Sequence, residues 1–498
     1  MRQSAAVPEK HRMLIDGQWV ESQGGGFFES FDPFTGRPWA LIPRATVADV
    51  DAAVAAASRA FNGPWRQMTA TARGHILRRL GDLIAEQAEE LAKLETLDNG
   101  KLINEMRVQL KYMPQWYHYF GGLADKVEGR VIPIDKPGVL NYTRLEPLGV
   151  VTAITPWNSP LMLATWKLAP ALAAGNTVVW KPSEHSSVSA LAFGKLFEQA
   201  GLPPGTVNIV TGFGHEIGDR LVAHPDVAKI AFTGGDATGQ RVYEAAAKGI
   251  KPVTLELGGK SANIVFDDAE LDAAIPGLVS GIFAATGQTC IAGSRALVHR
   301  PVLNEVVERL VEFAKTARMG DPMDVETQVG PITTLPQHGK ILDYIGIAKA
   351  EGAKCILGGA VGSKPECGKG WFVEPTIFTD VRPDMRIAQE EVFGPVLSII
   401  PFDDEDEAVR IANGTIYGLA AGVWTQSIRR AVGMSEKLQA GTVWVNTYRA
   451  TSYLSPFGGY KRSGIGRESG LGAIQQYLQE KSVWIDVSGT RPNPFVQR

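Results

Sequence analysis

The sequence has few cysteines and no uninterrupted apolar run of membrane-spanning length. Only three of its 498 residues are cysteine, Cys290, Cys355 and Cys367. An odd and sparse set is typical of a reducing compartment and argues against a disulfide framework. Prolines, asparagine and lysine interrupt the most apolar stretch, residues 149–175, and the first residues have no apolar core of signal-peptide length. We therefore expect a cytoplasmic protein without a membrane partner.

The sequence also lacks long runs of charge of one sign and any metal-binding spacing. Its 50 Lys and Arg nearly balance 53 Asp and Glu, for a net charge of −3. This balance predicts no nucleic-acid partner. No cluster of His, Cys and carboxylate residues has the spacing of metal ligands, so no metal is expected. The length predicts about two to four domains.

Helical signals dominate the first hundred residues. Thr46 and Asp49 form a variant of the capping box before an Ala-rich segment. Residues 71–97 then carry leucine and isoleucine at helical spacing, and Asn99-Gly100 is a stop signal. We predict packing helices here and assign them no chemistry.

Short apolar strands alternate with helical segments from residue 149 onward. Strands separated by ten to fifteen helical residues indicate crossover units and a parallel sheet covered on both faces, that is, a doubly wound α/β domain. The pattern repeats from residue 262 to about residue 460, which predicts a second α/β domain. Residues 128–149 and 482–489 are strand-like but fit neither domain. They predict a small hairpin that recruits the late strand, either across a subunit boundary or within its own subunit.

Cys290 is surrounded by small residues in "ATGQTCIAGSR", just past an apolar helical segment that ends near Gly287. A lone cysteine is most often a small buried hydrophobe. A catalytic thiol needs nearby donors or a base, because little of it is ionised at neutral pH. If Cys290 is catalytic, we expect Gly287, Ala292 and Gly293 to leave room for ligands around it.

Two further side chains supply what such a thiol needs. Glu256 ends an otherwise apolar strand in "TLELGGKSA", where a carboxylate is costly to bury and is either a base or the ion-pair partner of Lys260 or of another cation. Asn158 follows a strand in "AITPWNSP", where its amide either donates to an oxyanion or only shapes a turn.

Glycine-rich turns between strands and helices suggest a dinucleotide site. "VTGFGHEIGDR" supplies Gly214 and Gly218 but has one residue too many for the usual fingerprint. "IAFTGGDATG" repeats the arrangement, so that the helix start at Gly235 could face a pyrophosphate. In "VVWKPSEHS", Lys181 and Glu184 follow a strand, and a carboxylate there would hold ribose hydroxyls and repel an added phosphate. This favours NAD over NADP.

The motifs together resemble the aldehyde dehydrogenase superfamily, in its hydrolytic, non-acylating class, over nearly the whole chain. They are "PWN", "KPSE", "FTGG", "LELGGKSA", "FAATGQTCIAGS", "EEVFGP" and "SPFGGYKRSGIGRE", in that order. The resemblance implies two Rossmann-like domains and a small β extension. The implied division is an NAD-binding domain of residues 1–127 and 150–257, a catalytic domain of 258–460, and an oligomerisation extension of 128–149 and 475–498 in a homodimer or homotetramer.

The resemblance also implies roles for individual residues. Cys290 would be the nucleophile, Glu256 the base that activates water, and Asn158 with the Cys290 backbone N–H the oxyanion hole. Lys167 and Glu468 would form a proton path behind the base. The implied cofactor contacts are Thr155, Pro156, Trp157, Lys181, Glu184, Gly214, Gly218, Thr233, Gly234, Gly235, Leu257, Glu391 and Phe393.

The predicted substrate contacts are Ser159, Trp166, Thr289, Ile291, Arg449 and Phe457, and the tunnel is also expected to include Leu163, Ala284, Tyr448, Thr451 and Tyr453. Ser159, Ala284 and Thr451 are small where relatives that act on simple apolar aldehydes have aromatic residues, which predicts a roomier and more polar pocket. Arg449 suggests a carboxylate or another acceptor on the substrate, unless it is a solvated or interface arginine. The alternatives are a CoA-acylating semialdehyde dehydrogenase and a non-catalytic binding protein on the same fold.

Overall fold

The computed structural model describes residues 8–489 and residue 495. Residues 1–7 of the predicted NAD-binding domain lie outside the described residues, as do residues 490–494 and 496–498 of the predicted extension. Within the described part, no helix combines the length and the apolar character needed to cross a lipid bilayer.

The amino-terminal segment contains short strands in addition to the predicted helices. Its elements are β1 (Glu9–Lys10), β2 (Met13–Ile15), β3 (Gln18–Val20), β4 (Phe27–Asp32), β5 (Arg37–Pro43), α1 (Val47–Asn62), α2 (Pro64–Gln67), α3 (Ala70–Glu86), α4 (Ala88–Asn99), α5 (Ile103–Tyr112) and α6 (Pro114–Leu123). The prediction of mainly helical structure missed all five strands, because each has only two to seven residues.

The predicted helix start at Thr46 and the predicted helix stop at Gly100 are both confirmed. The Asp49 carboxylate accepts hydrogen bonds from the Thr46 backbone N–H (2.7 Å) and hydroxyl (2.9 Å) at the start of α1. The helical run of residues 71–97 is two helices, since the backbone leaves the helical conformation at Gln87 between α3 and α4. Gly100 ends α4 with a φ of +76°, a left-handed conformation that glycine adopts without strain.

A parallel sheet forms the centre of the next segment. Its elements are β6 (Val131–Ile132), β7 (Val139–Pro147), β8 (Val150–Ile154), α7 (Pro160–Ala173), β9 (Thr177–Lys181), α8 (Val188–Ala200), β10 (Val207–Ile209), α9 (Gly214–Ala223), β11 (Val227–Thr233), α10 (Asp236–Lys248) and β12 (Val253–Glu256). Strands β8–β12 run parallel in the order β12-β11-β8-β9-β10. The order reverses beside β8, which places a crevice at the carboxyl ends of β8 and β11.

The second sheet confirms the predicted second α/β unit. Its segment comprises β13 (Ala262–Val265), α11 (Leu271–Phe283), β14 (Arg295–His299), α12 (Leu303–Lys315), α13 (Leu335–Ala350), β15 (Lys354–Leu357), β16 (Thr376–Thr379), α14 (Arg386–Gln389), β17 (Val396–Phe402), α15 (Glu405–Asn413), β18 (Tyr417–Gly418), β19 (Ala420–Trp424), α16 (Ile428–Lys437), β20 (Thr442–Val445), β21 (Tyr460–Lys461), β22 (Gly464–Ile465) and β23 (Leu478–Asp486). The order is β15-β16-β17-β14-β13-β19-β20, and only β15 pairs antiparallel. The α/β fold class with two Rossmann-like sheets is therefore confirmed.

The strand-like segments outside these sheets pair with each other. β6, β7 and β23 form a three-stranded antiparallel sheet, in which Pro147 is opposite Leu478 and Val139 is opposite Asp486. The predicted hairpin does recruit the late strand, and the pairing is made within one chain. The strand begins and ends a few residues earlier than the predicted range of 482–489.

Candidate active site

Cys290 lies on a tightly folded loop between α11 and β14. Ala285 and Thr286 have φ angles of 51° and 53°, and the Tyr448 hydroxyl donates to the Ile291 carbonyl at 3.0 Å. The small residues around the thiol do not leave room for ligands, contrary to expectation. A Cβ at Gly287 would overlap the Gly394 backbone, and Gly293 packs against Asn263 and Tyr448. Their size is required by protein packing.

The thiol lies where two cavities meet. A cavity of about 640 Å³ lies on one side and one of about 160 Å³ on the other, and Cys290, Asn158 and Leu163 line both. Burial raises the pKa of the Cys290 thiol to about 12, and the Glu391 and Glu256 carboxylates raise it further. Without a ligand, the thiol is therefore held in its protonated form.

Asn158 is placed by the loop that joins β8 to α7. The side chain is 6% exposed, and its Nδ2 donates to the Gln288 carbonyl at 3.0 Å. This hydrogen bond fixes the amide beside the Cys290 loop, and the amide has a second N–H to offer. The amide therefore lies where the two cavities meet, since Asn158 lines both.

Glu256 is the last residue of β12 and is 4% exposed. Within the described part of the chain, neither carboxylate oxygen has a hydrogen-bond partner, and the Lys260 Nζ has none either. The structure therefore does not show the alternative ion pair between these two residues. Burial raises the pKa of Glu256 well above its usual value and the negative Glu468 raises it further, while Lys167 and Arg467 oppose the shift.

Lys167 and Glu468 form a buried pair behind this carboxylate. The Lys167 Nζ donates to Glu468 Oε1 at 2.6 Å and to the Thr233 hydroxyl at 2.6 Å. The side chains of Lys167 and Glu468 are 1% and 3% exposed. The ammonium thus connects Thr233 at the end of β11 with the acid nearest to Glu256.

The predicted cofactor residues line two connected spaces. A groove of about 630 Å³ is lined by Thr155, Pro156, Trp157, Lys181, Glu184, Gly214, Gly218, Thr233, Gly234 and Gly235. Leu257, Glu391 and Phe393 line the 160 Å³ cavity beside Cys290, which shares Pro156, Trp157 and the two glycines that follow β11 with the groove. The Trp157 and Phe393 rings are perpendicular, with centroids 5.3 Å apart.

This groove has the features that a dinucleotide requires. Helices α9 and α10 both begin in it, at Gly214 and just after Gly235, and no side chain caps either start. Their first N–H groups and helix dipoles favour a phosphate. A Cβ at Gly214, Gly218 or Gly235 would project into open space, so the glycines keep the groove wide. The Lys181 Nζ donates to Glu184 Oε2 at 3.4 Å, which orients that carboxylate.

The predicted substrate residues all line the 640 Å³ cavity: Ser159, Trp166, Thr289, Ile291, Arg449 and Phe457, with Leu163 and Thr451. Ala284, Tyr448 and Tyr453 do not line it. Tyr448 packs against Trp444, and Tyr453 packs among Tyr112, Trp116 and Tyr119.

The helices to which we assigned no chemistry contribute the rest of this cavity. The lining residues on α5 and just before it are Lys101, Asn104, Glu105, Met106, Val108, Gln109 and Tyr112. No sequence signal marked them, because the helical spacing of α5 is satisfied equally by packing. A lysine directly after a helix-ending glycine was the one available hint.

Comparisons with known proteins identify the family of this chain. The model of the aldehyde dehydrogenase family matches residues 19–483. The chain belongs to the aldehyde dehydrogenase family. It is 45% identical over 493 residues to the (Z)-2-((N-methylformamido)methylene)-5-hydroxybutyrolactone dehydrogenase of Acinetobacter baylyi, covering 98% of this chain and 100% of that protein.

Two solved aldehyde dehydrogenase structures show the same fold. The NAD+ complex of the Bacillus cereus enzyme has a TM-score of 0.94 at 46% identity, covering 96% of this chain and 97% of that one. Betaine aldehyde dehydrogenase from Staphylococcus aureus in complex with NAD+ has a TM-score of 0.96 at 40% identity, covering 98% and 97%. The family is one of oxidoreductases that act on aldehydes, and these complexes support a nicotinamide cofactor.

Proposed function

We propose that this chain oxidises an aldehyde to the carboxylic acid with NAD, through thiohemiacetal and thioester intermediates on Cys290. The main observation in support of this proposal is that two cavities meet at Cys290 and Asn158. A buried, unpartnered Glu256 lies near enough to raise the pKa of the thiol. These are the nucleophile, the oxyanion donor and the base that the reaction needs.

The first half-reaction uses the thiol and the amide. The Cys290 thiol loses its proton to solvent as its sulfur attacks the carbonyl carbon, and the carbonyl oxygen becomes an oxyanion that the Asn158 amide and the Cys290 backbone N–H stabilise. When bound, the nicotinamide would supply the acceptor for the hydride that leaves the thiohemiacetal carbon and turns it into the thioester carbon. The glycine-lined groove and the Trp157–Phe393 pair hold that end of the site in place and exclude water.

The second half-reaction uses the base. Glu256 takes a proton from a water molecule, whose oxygen attacks the thioester carbon. The C–S bond then breaks, which releases the acid, and the leaving sulfur takes up a proton from solvent to restore the thiol. The raised pKa of Glu256 makes it a better proton acceptor than an ordinary carboxylate. We assign the exit of this proton to Lys167 and Glu468, which are hydrogen-bonded to each other at 2.6 Å and whose charges act on Glu256.

Removal of the Asn158 amide tests the oxyanion role. Asn158→Ala is expected to lower kcat by about 10²–10³-fold, because one oxyanion donor is lost in a water-poor site. Steady-state NADH formation measures this, with the exposed Asn62→Ala on α1 as the matched control. A small loss in kcat with a large rise in KM would assign Asn158 to substrate binding instead.

One assay separates the proposed reaction from its alternatives. NADH formation with a panel of aldehydes, with and without CoA, is expected to proceed without CoA. A requirement for CoA would identify an acylating enzyme, which generally lacks a base at the Glu256 position. The absence of any turnover would favour a non-catalytic binding protein.

Replacing NAD with NADP is expected to lower kcat/KM, because we expect the Glu184 carboxylate to repel the added phosphate.

Functionalised aldehydes fit the larger cavity best. Its volume of about 640 Å³ exceeds what a short apolar aldehyde requires, and Lys101, Glu105 and Arg449 add charged groups to a lining that is otherwise mostly apolar. The two relatives named above after their substrates take a hydroxybutyrolactone and betaine aldehyde. Arg449 lines the cavity, and its Nη1 donates to the Ser280 carbonyl at 3.2 Å, which leaves other N–H groups for a ligand.

We also infer a homodimer or homotetramer built through the β6-β7-β23 sheet. Trp484, Ile485 and Leu140 on this small sheet are 57%, 42% and 41% exposed, which is unusual for large apolar residues. Sedimentation of the purified chain is expected to show a dimer or larger, and Trp484→Glu is expected to shift it toward monomer. A monomeric wild-type chain would remove this inference.

A further inference from the structure

The larger cavity contains a buried lysine beside the proposed reaction centre. Lys101 follows the left-handed turn at Gly100, is 7% exposed, and donates from Nζ to the Ser159 hydroxyl at 2.6 Å. Ser159 directly follows Asn158 in the sequence, so the Lys101 ammonium binds to the residue next to the proposed oxyanion donor. It belongs to the inner end of the cavity.

Unpartnered donors outnumber acceptors on the same wall. The Ser159 hydroxyl donates to Gln109 Oε1 at 3.3 Å, which leaves the Gln109 amide nitrogen without a partner. The Trp166 Nε1 is also buried and unpartnered within the described part of the chain. Lys101 has two further N–H groups to offer. Among the carboxylates that line the cavity, Glu105 contributes one unpartnered oxygen, while its other oxygen accepts from the Ala285 N–H at 2.7 Å.

The charges around Lys101 favour an incoming acceptor. Burial lowers the pKa of Lys101 and Arg449 lowers it further, while Glu105, Glu95 and Cys290 oppose the shift. A buried ammonium that has lost its hydration gains most from a ligand oxygen, and a negatively charged oxygen would restore its charged form. An alkyl chain in this position would instead leave three donors unpaired.

We propose that the cavity selects aldehydes that carry an oxygen acceptor, a carboxylate or a carbonyl, which binds to Lys101, Gln109 and Trp166. This specificity rests on the proposed function. Because Lys101 lies close to the reaction centre, the acceptor is separated from the aldehyde carbon by only a few bonds. Glu105 provides the complementary acceptor for a substrate hydroxyl.

Three aldehydes of similar size test the proposal: succinic semialdehyde, its methyl ester and hexanal. Wild-type kcat/KM is expected to be higher for both acceptor-bearing aldehydes than for hexanal. Lys101→Met keeps the length of the side chain and removes its charge. It is expected to lower the ratio of kcat/KM for succinic semialdehyde to that for hexanal by about tenfold or more, mainly through KM. An equal fall for the ester ratio identifies a carbonyl contact, and a fall for the acid alone identifies a carboxylate contact.

The matched control is Lys111→Met, which removes an exposed lysine at the other end of α5 and is expected to keep both ratios unchanged. If Lys101→Met does not fold, Gln109→Leu replaces it and is expected to lower the same ratios. Equal losses on all three aldehydes, or a wild-type preference for hexanal, would overturn the proposal while leaving aldehyde oxidation intact. No NADH from any aldehyde with the wild-type chain would overturn both.

Discussion

Cys290→Ala is expected to lower kcat for NAD-linked aldehyde oxidation by about 10⁴-fold or more, because the covalent route is lost altogether. No other thiol lines either cavity that meets at this position. The absorbance of NADH under saturating aldehyde and NAD measures the loss. The variant is still expected to bind NAD, because the groove is formed by other residues. Quenching of tryptophan fluorescence by NAD measures this binding.

Cys355→Ala is the matched control for this variant. Cys355 lies on the edge strand β15, where its Sγ contacts the Leu357 carbonyl at 3.3 Å. Its removal is expected to leave kcat unchanged. Appreciable turnover by Cys290→Ala, or an equal loss in both variants, would contradict the assignment of Cys290 as the nucleophile.

The second large effect is expected from Glu256→Gln. The amide keeps the shape of the side chain but cannot accept a proton, so steady-state kcat is expected to fall by about 10²–10⁴-fold. Acylation does not need this base to activate water. Rapid mixing with NAD and aldehyde is therefore expected to show a burst of about one NADH per site, followed by almost no turnover.

The pH dependence of the wild-type enzyme follows from the same carboxylate. Glu256 is active when deprotonated, and its pKa is raised by burial and by Glu468. The rate of thioester hydrolysis is therefore expected to rise with pH over a range above that in which ordinary carboxylates titrate. The matched control for Glu256→Gln is Glu244→Gln, on the exposed face of α10, which is expected to keep the wild-type kcat. Loss of the NADH burst in Glu256→Gln would move the role of Glu256 to the first half-reaction.

The parallel sheets and the grouping of the site were predictable from the sequence for a physical reason. Glu256 ends an apolar strand, and Asn158 and the Gly235 turn follow within four residues of one. The carboxyl ends of parallel strands meet at one edge of a sheet. Apolar strands between helices have a strong pattern. The five strands before α1 do not, since β1 has two residues and the buried positions of β4 include the polar Ser30 and Asp32, which hide its alternation in the sequence.

The lysine in the larger cavity could not be predicted in the same way. The spacing of apolar residues on α5 indicates that one face is buried, but it does not show whether that face meets protein or a cavity. The prediction that Gly287 and Gly293 leave room for ligands was wrong for a related reason. Small residues suit close approach by backbone as well as by a ligand, and only the fold shows that the Gly394 backbone and Tyr448 occupy those places.

The partition made by Cys290, Asn158 and Leu163 has a consequence for the order of events. The two spaces that meet there have otherwise different walls. Under the proposed function, the acid would leave through the larger cavity and the reduced dinucleotide through the glycine-lined groove, so that neither would have to pass the other at the sulfur. The order of release would then be set by how long each molecule stays bound.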